Sequence, residues 1–296
     1  MRKVIVLAIV SAVALFPVAL RGNTLETVIR SLIDSADAQV GVAVIIEGKD
    51  TVAVNDDGRY PLMSVVKFHQ ALAVADFLGR TGGAINDTVF VSKDMLRPDT
   101  YSPLRDKFPD GGVSVTVHRL LDYTLLLSDN NACDILFNYV GGTSVVDDYI
   151  RSLGVDEFAI TATEDEMHGD LSLCYSNWSS PLAAASLVDI FLNGNIIRPD
   201  LQKYIKGAMI ACSTGTDRLP APLKGTGAVI GHKTGTGGRN RDGRIVGIND
   251  VGFVLLPDGR YYTIAVFVKD MAGDNDEAAH LIAEISAAVY HYVLSM

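Results

Sequence analysis

Cysteine, tryptophan and surplus positive charge are all scarce in this chain of 296 residues. The three cysteines, Cys133, Cys174 and Cys212, are too few for a disulfide framework, and Cys133, set in an apolar helical pattern, reads as a buried thiol. Lysine and arginine total 25 against 35 acidic residues, a net charge of -10. That balance excludes a nucleic-acid partner, which needs clustered basic side chains to replace the counterions of the phosphates. The six histidines, His69, His118, His168, His232, His280 and His291, show no paired spacing that would set two imidazoles on one helical turn, so no metal is expected. No cofactor is expected either, because Gly225-Thr226-Gly227 lacks the rest of a dinucleotide fingerprint. Internal repeats and low-complexity tracts are absent, and beyond Leu20 no second apolar run is long enough to span a bilayer.

What the chain does have begins with Met1-Arg2-Lys3 and a largely apolar run from Val4 to Leu20, the pattern of a secretory signal peptide over residues 1-22, cleaved near Ala19 to Asn23. The protein is therefore expected to be secreted, into the periplasm if the host has an outer membrane, with no membrane contact after cleavage. Asn23 with Glu26 three residues on predicts a capped first helix carrying Leu25, Val28, Ile29, Leu32 and Ile33 on one face. Gln39 to Ile46 and Thr51 to Val54 flank a turn, as do Val251 to Leu256 and Tyr261 to Val268, so each pair predicts a hairpin. Residues from about Pro61 to Ala211 read as mostly helical, and a last helix runs from about Asn275. Strands at both ends around a helical middle predict an α+β fold of two lobes. One lobe is an antiparallel sheet flanked by terminal helices, discontinuous over 23-60 and 212-296; the other, 61-211, is all-helical.

Three short motifs follow in order: Ser64-Val65-Val66-Lys67, Ser128-Asp129-Asn130 and Lys233-Thr234-Gly235. Together they describe an acyl-transfer site on a serine nucleophile. A serine hydroxyl is a weak nucleophile at neutral pH and needs a base within hydrogen-bond reach, and three residues along a helix bring Lys67 to the same face as Ser64. Alone, Ser64 also fits a helix cap with Lys67 as a solvated cation, and Ser128-Asp129-Asn130 also fits a plain polar turn between helices. The glycines at 235, 237 and 238 permit close backbone approach, so the amides of Ser64 and Thr236 are candidates for an oxyanion hole.

On these motifs the chain resembles the class A serine β-lactamases, a family similar to the penicillin-binding transpeptidases, over nearly its whole length. The resemblance implies the same two-lobe fold and a metal-independent hydrolysis of β-lactams, penicillins and cephalosporins, with drug resistance as its consequence. It implies Ser64 as nucleophile, Lys67 as its neighbouring amine, Ser128 as the proton carrier to the leaving nitrogen and Asn130 as a holder of the substrate side chain. Lys233, Thr234, Gly235 and Thr236 match the strand that receives the drug carboxylate; Arg218 matches one position from which the family brings an arginine toward it. Tyr101 matches the aromatic at the cleft mouth. In Thr163-Glu164-Asp165-Glu166-Met167-His168, similar to the start of the omega loop, Glu164 matches the deacylation base, with Glu166 as the competing register.

Some positions depart from the family pattern. Ala162 and Asn177 stand where an arginine and an aspartate usually clamp the loop, so the clamp is expected to be missing, and His168 stands where asparagine is more usual. His168 is shared with an extended-spectrum branch that carries Met-His. As a bare residue, Arg218 also reads as a surface cation paired with Asp217. Two other functions use the same motifs, a D-alanyl transpeptidase or carboxypeptidase and a β-lactam sensor that is acylated without turnover; Glu164 argues against both. A monomer acting on a small-molecule drug is expected.

Overall fold

The computed structural model describes residues 24–296, so the predicted leader and the Asn23 cap lie outside the described residues. Helix α1 (Leu25–Ile33) is capped by Thr24, whose side chain accepts from the Thr27 amide, and it buries Leu25 and Ile29. The first hairpin follows as β1 (Gln39–Ile46) and β2 (Asp50–Val54), and β3 (Tyr60–Pro61) leads into α2 (Val66–Thr81). A second hairpin, β4 (Thr88–Val91) and β5 (Val113–Thr116), encloses the short α3 (Pro103–Lys107). Then come α4 (Val117–Leu126), α5 (Asn130–Val140), α6 (Thr143–Ser152), β6 (Phe158–Ala159), α7 (Glu164–Gly169), β7 (Trp178–Ser179), α8 (Pro181–Asn193) and α9 (Pro199–Ile210). The chain closes with β8 (Val229–Thr236), β9 (Ile245–Leu255), β10 (Tyr261–Met271) and α10 (Asn275–Ser295).

Both ends of the chain build one antiparallel five-stranded sheet in the order β2-β1-β10-β9-β8. Val42 of β1 pairs Val54 on one side and Val266 of β10 on the other, which ties the two ends together across the middle of the sequence. β1, β9 and β10 are buried on both faces, which is why they read as nearly unbroken apolar runs rather than alternating ones. One face packs Val42, Val44, Ile264 and Val266 against Leu25, Ile29, Ile282, Ile285 and Val289 of the terminal helices. The opposite face packs Phe253, Ala265 and Phe267 into a second core with Phe68 of α2 and Leu187, Val188 and Phe191 of α8. This is the α+β two-lobe architecture, with the helical part lying against the inner sheet face.

β9 begins at Ile245, six residues before the predicted Val251, because Gly247, Asn249 and Asp250 look like loop in sequence but are strand residues here. Both side chains are buried and bonded at long range: Asn249 Nδ2 donates to the Pro61 carbonyl at 2.7 Å, and Asp250 Oδ2 accepts from the Leu219 amide at 3.2 Å. β8 is an edge strand of the sheet, at the end opposite β2, so half of its backbone polar groups are free of strand partners. Among the described residues, no helix is long and apolar enough to cross a membrane.

Candidate active site

Ser64 lies in a 3-10 turn, Met63–Val65, that runs directly into α2. Met63 has φ 47°, a left-handed conformation costly for a side chain with a Cβ, so the turn must be held by its surroundings. Three contacts hold it. The Leu62 amide donates to the Asn177 carbonyl at 2.8 Å, Asn249 grips Pro61, and Gly235 of β8 comes so near that a Cβ there would lie 2.7 Å from the Leu62 carbonyl oxygen. The glycine of the Lys-Thr-Gly motif thus lets the edge strand approach the serine turn.

Lys67, one helical turn on, is fully buried, and its Nζ donates to Ser64 Oγ at 2.9 Å, the Ser128 carbonyl at 2.9 Å and Asn130 Oδ1 at 2.6 Å. The Glu164 carboxylate pairs with the same Nζ at 2.9 Å. Burial opposes the Lys67 charge, but the Glu164 carboxylate, with Cys133 and Asp129 adding to it, carries its pKa above the ordinary ammonium value. Lys67 therefore rests as an ammonium, with Ser64 Oγ and the Glu164 side chain beside it.

Ser128 has φ 61° at the turn between α4 and α5, and the next residue, Asp129, fixes that turn. Asp129 Oδ1 accepts from the Ala132 amide at 2.8 Å as the α5 cap, and its Oδ2 accepts from the Leu104 amide at 2.6 Å. Ser102 donates to the same carboxylate at 2.9 Å, so the Tyr101-Ser102-Pro103 segment is pinned to the turn. Asn130 donates to Thr100 Oγ1 at 2.8 Å, and Tyr101 stands 59% exposed at the mouth.

From the opposite wall, Lys233 Nζ reaches Ser128 Oγ at 3.0 Å. Burial lowers the Lys233 pKa to about 8, and the Lys67 ammonium nearby pushes the same way. Thr234 and Thr236 face the cleft, and Thr234 Oγ1 shares a 2.6 Å hydrogen bond with Thr214. Arg218 is not the surface cation of the sequence alternative: it is 8% exposed and lies behind the strand. It donates to the carbonyls of Gly235 and Asn249, both at 2.9 Å, and to Thr236 Oγ1 at 2.7 Å.

Glu164 and Glu166 part company in space. Glu166 turns outward to close a capping box with Thr163, accepting from its amide at 2.8 Å, whereas Glu164 points to Lys67. Asp134, which the motifs did not single out, accepts from the amides of Glu164 and Asp165, both at 2.8 Å. Burial raises its pKa to about 7, with the Glu164 charge adding to the rise. A signal for it existed in sequence, since Asp134 lies four residues after Asn130 and so on the same helical face. With Ala162 and Asn177 at those places there is no arginine–aspartate clamp, and a neutral one stands instead. The Asn177 carboxamide accepts from the amides of Thr161 at 2.7 Å and Ala162 at 2.9 Å and donates to the Ala162 carbonyl at 2.7 Å, closing the loop without charge. His168 reaches across the mouth to Asp99 at 3.0 Å, and Arg97 pairs with Asp165 beside it.

These walls enclose a cleft of about 370 Å³ lined by Ser64, Tyr101, Ser128, Asn130, Glu164, His168, Thr234 and Thr236. Lys67, Lys233 and Arg218 lie beneath or behind the lining, and Gly235 supports it from the strand. Among the described residues, no group of three or more histidine, cysteine, aspartate or glutamate side chains is arranged to hold a metal ion.

The family model described as the beta-lactamase enzyme family matches residues 24–293. A Bacteroides uniformis protein named beta-lactamase is 39% identical over 291 residues, covering 96% of each chain. The extended-spectrum beta-lactamase PER-1 of Pseudomonas aeruginosa is 34% identical over 300 residues, covering 99% of this chain and 97% of its own. Among solved structures, the TLA-3 extended-spectrum beta-lactamase superposes with a TM-score of 0.89 at 38% identity, over 91% of this chain and 98% of that one. A class A beta-lactamase from Bacteroides cellulosilyticus gives 0.88 at 39% identity, over 92% and 98%. A serine cleft of this geometry, on a chain matched over nearly all its described length, belongs to the β-lactamase enzyme family, and the protein is a class A enzyme that hydrolyses β-lactams.

Proposed function

We propose that the protein hydrolyses penicillins and cephalosporins through an acyl-enzyme on Ser64, with Glu164 as the base that frees it. The observation that carries this is the 2.9 Å approach of the buried Lys67 Nζ to both Ser64 Oγ and Glu164 Oε1, which links nucleophile and carboxylate through one amine. Acylation begins when Lys67, having released a proton to water, takes the Ser64 proton as the oxygen attacks the lactam carbonyl, which leaves the Glu164 carboxylate free for the second half. Amides of Ser64 and Thr236 receive the developing oxyanion. The carbonyl carbon to nitrogen bond then breaks, and Ser128, in contact with Lys67 and Lys233, relays a proton to the leaving nitrogen. In the second half Glu164 removes a proton from water, the hydroxide attacks the ester, and the Ser64 oxygen leaves and is reprotonated.

Substrate recognition follows from charge and shape. Lys233, Thr234 and Thr236 offer an ammonium and two hydroxyls to the drug carboxylate, Arg218 acts from behind through Thr236, Asn130 addresses the side-chain amide, and Tyr101 borders the mouth. The functional organisation is a discontinuous α/β lobe of 23-60 and 212-296 around a helical lobe of 61-211, exported as a monomer by the 1-22 leader and acting in the periplasm where there is an outer membrane.

The test is mass spectrometry with stopped-flow turnover of a chromogenic cephalosporin. Glu164→Gln completes one fast turnover and stalls with the drug's mass on Ser64, Glu166→Gln keeps turning over, and Ser64→Ala carries no adduct. A parental protein that itself stalls would make it a sensor; stalling by Glu166→Gln but not Glu164→Gln would shift the base by two residues.

A further inference from the structure

A buried histidine–aspartate hydrogen bond that the mechanism above does not use lies directly behind the carboxylate-binding strand. His232 of β8 and Asp250 of β9 are 2% and 0% exposed, and the His232 Nδ1–H donates to Asp250 Oδ1 at 2.8 Å. Asp250 is the cross-strand partner of Thr234, the central residue of the Lys-Thr-Gly motif. Strand alternation puts His232, Thr234 and Thr236 on one face of β8, the face that Arg218 covers. A carboxylate with no basic function near it would be expensive at this depth, because desolvation is not repaid. Its second oxygen, Oδ2, accepts from the Leu219 amide at 3.2 Å, the peptide that follows Arg218.

The Arg218 turn has little freedom otherwise. Gly215, at φ 63°, starts it with no room for a side chain, since a Cβ there would lie 2.4 Å from Thr234 Cγ2. The Leu219 carbonyl is held by Ser286 Oγ of α10 at 2.8 Å. Arg218 spends its terminal nitrogens on Gly235, Asn249 and Thr236, but its Nε is a buried donor without a hydrogen-bond partner. Burial opposes the guanidinium charge, and Asp250 is the foremost carboxylate opposing that penalty.

We infer that Asp250, oriented by His232, is a positioning residue for recognition of the β-lactam carboxylate: it anchors the Leu219 peptide and supplies the counter-charge that keeps Arg218 against Thr236. The inference rests on the drug carboxylate docking at Lys233, Thr234 and Thr236. Asp250 itself touches no substrate. Its effect passes through Arg218 to the Thr236 hydroxyl, so it bears on binding of the carboxylate and not on the proton transfers at Ser64.

Steady-state kinetics on a cephalosporin and on its carboxylate ester, with thermal melting to verify the fold, tests this. Asp250→Asn keeps an acceptor for Leu219 but removes the charge; KM for the free acid rises about tenfold, as expected for coupled neighbours, while kcat and the parameters for the ester stay near parental values. In an Arg218→Ala background the same change does nothing further. If Asp250→Asn does not fold, His232→Leu carries the test by leaving Asp250 without its donor, with the same acid-specific rise in KM, and His232→Gln restores it. Equal losses on acid and ester, or losses that add to those of Arg218→Ala, overturn the inference while leaving the carboxylate site intact. A parental enzyme that does not distinguish acid from ester overturns the docking site and the inference with it.

Discussion

Two lysines within one cleft are driven in opposite directions by what surrounds them. Lys67 has a carboxylate at 2.9 Å and keeps its proton; Lys233 has hydroxyl and carbonyl partners and an ammonium neighbour, and its pKa falls to about 8. The free ammonium titrates near 10.4, so between about 8 and about 10.4 the unfolded chain binds more protons at this site than the native one. Stability from this group therefore rises with pH through that window, and the cost of burying the ammonium is fully present below about 8. If the drug carboxylate docks at Lys233 as proposed, function moves the other way, because that cation is lost as pH rises through about 8. We predict an alkaline fall in kcat/KM centred near pH 8 for a carboxylate-bearing drug, which moves up by a unit or more in Lys233→Arg. An unchanged alkaline limb in that variant would assign the titration elsewhere. Serine, lysine, asparagine and glutamate were all legible as residues because their chemistry is written in three motifs and one loop. The place of Asp134 on the Asn130 face of its helix was readable too, but its burial and that of Asp250 were not, since a buried acid and a surface acid are the same letter until packing separates them.

At the scale of elements, the segment from Thr161 to Asn177 is held at its neck by one neutral side chain. Asn177 makes three hydrogen bonds to the opposing backbone, and its own carbonyl accepts from Leu62, two residues before Ser64. Loop and serine turn are thus fastened at one residue. Asn177→Ala leaves the buried Ala162 amide unpartnered at a cost of about 1–3 kcal/mol, and the half-buried Thr161 amide at less, so melting should drop by several degrees. We expect deacylation to slow more than acylation, because Glu164 is carried by the loop while Lys67 and Ser64 are carried by α2 and its leading turn. Burst and steady-state phases with one cephalosporin measure the two; equal slowing of both would mean that the neck serves the serine turn alone. The hairpins β1–β2 and β9–β10 and the terminal helices were readable from periodicity and turn residues, whereas the β4–β5 pair and the short β6 and β7, inside the stretch expected to be all-helical, were not. The first half of β9 was not, because Asn249 and Asp250 are polar for contacts with residues about 190 and 30 positions away, and a local pattern cannot see those partners.

The whole molecule is organised by a sheet with a separate core on each face, and only one of those cores contains residues of α2, the helix that follows Ser64. Ile282 of α10 is fully buried in the outer core, whereas Phe68 of α2 is buried in the inner core next to Ser64 and Lys67. Truncating either to alanine should cost about 2–5 kcal/mol in chemical denaturation. Ile282→Ala should leave kcat within about twofold of the parent, since its core lies across the sheet from the cleft, while Phe68→Ala should lower kcat as well because it loosens the base of α2. A fall in kcat for Ile282→Ala comparable to that for Phe68→Ala would mean that the sheet transmits the disturbance. By itself the sequence determined the chemistry on offer, the order of helices and hairpins, and the α+β class, because each of these is a local matter of residue type, spacing and periodicity. Only the tertiary structure decided that Glu164 and not Glu166 meets Lys67, that Arg218 stands behind Thr236 and not at the surface, and that Asn177 replaces a charged clamp. Lys67 and Ser128 are 61 positions apart, Ser128 and Lys233 are 105, and contacts over such separations follow from sheet register and core packing, which no short window of residues contains.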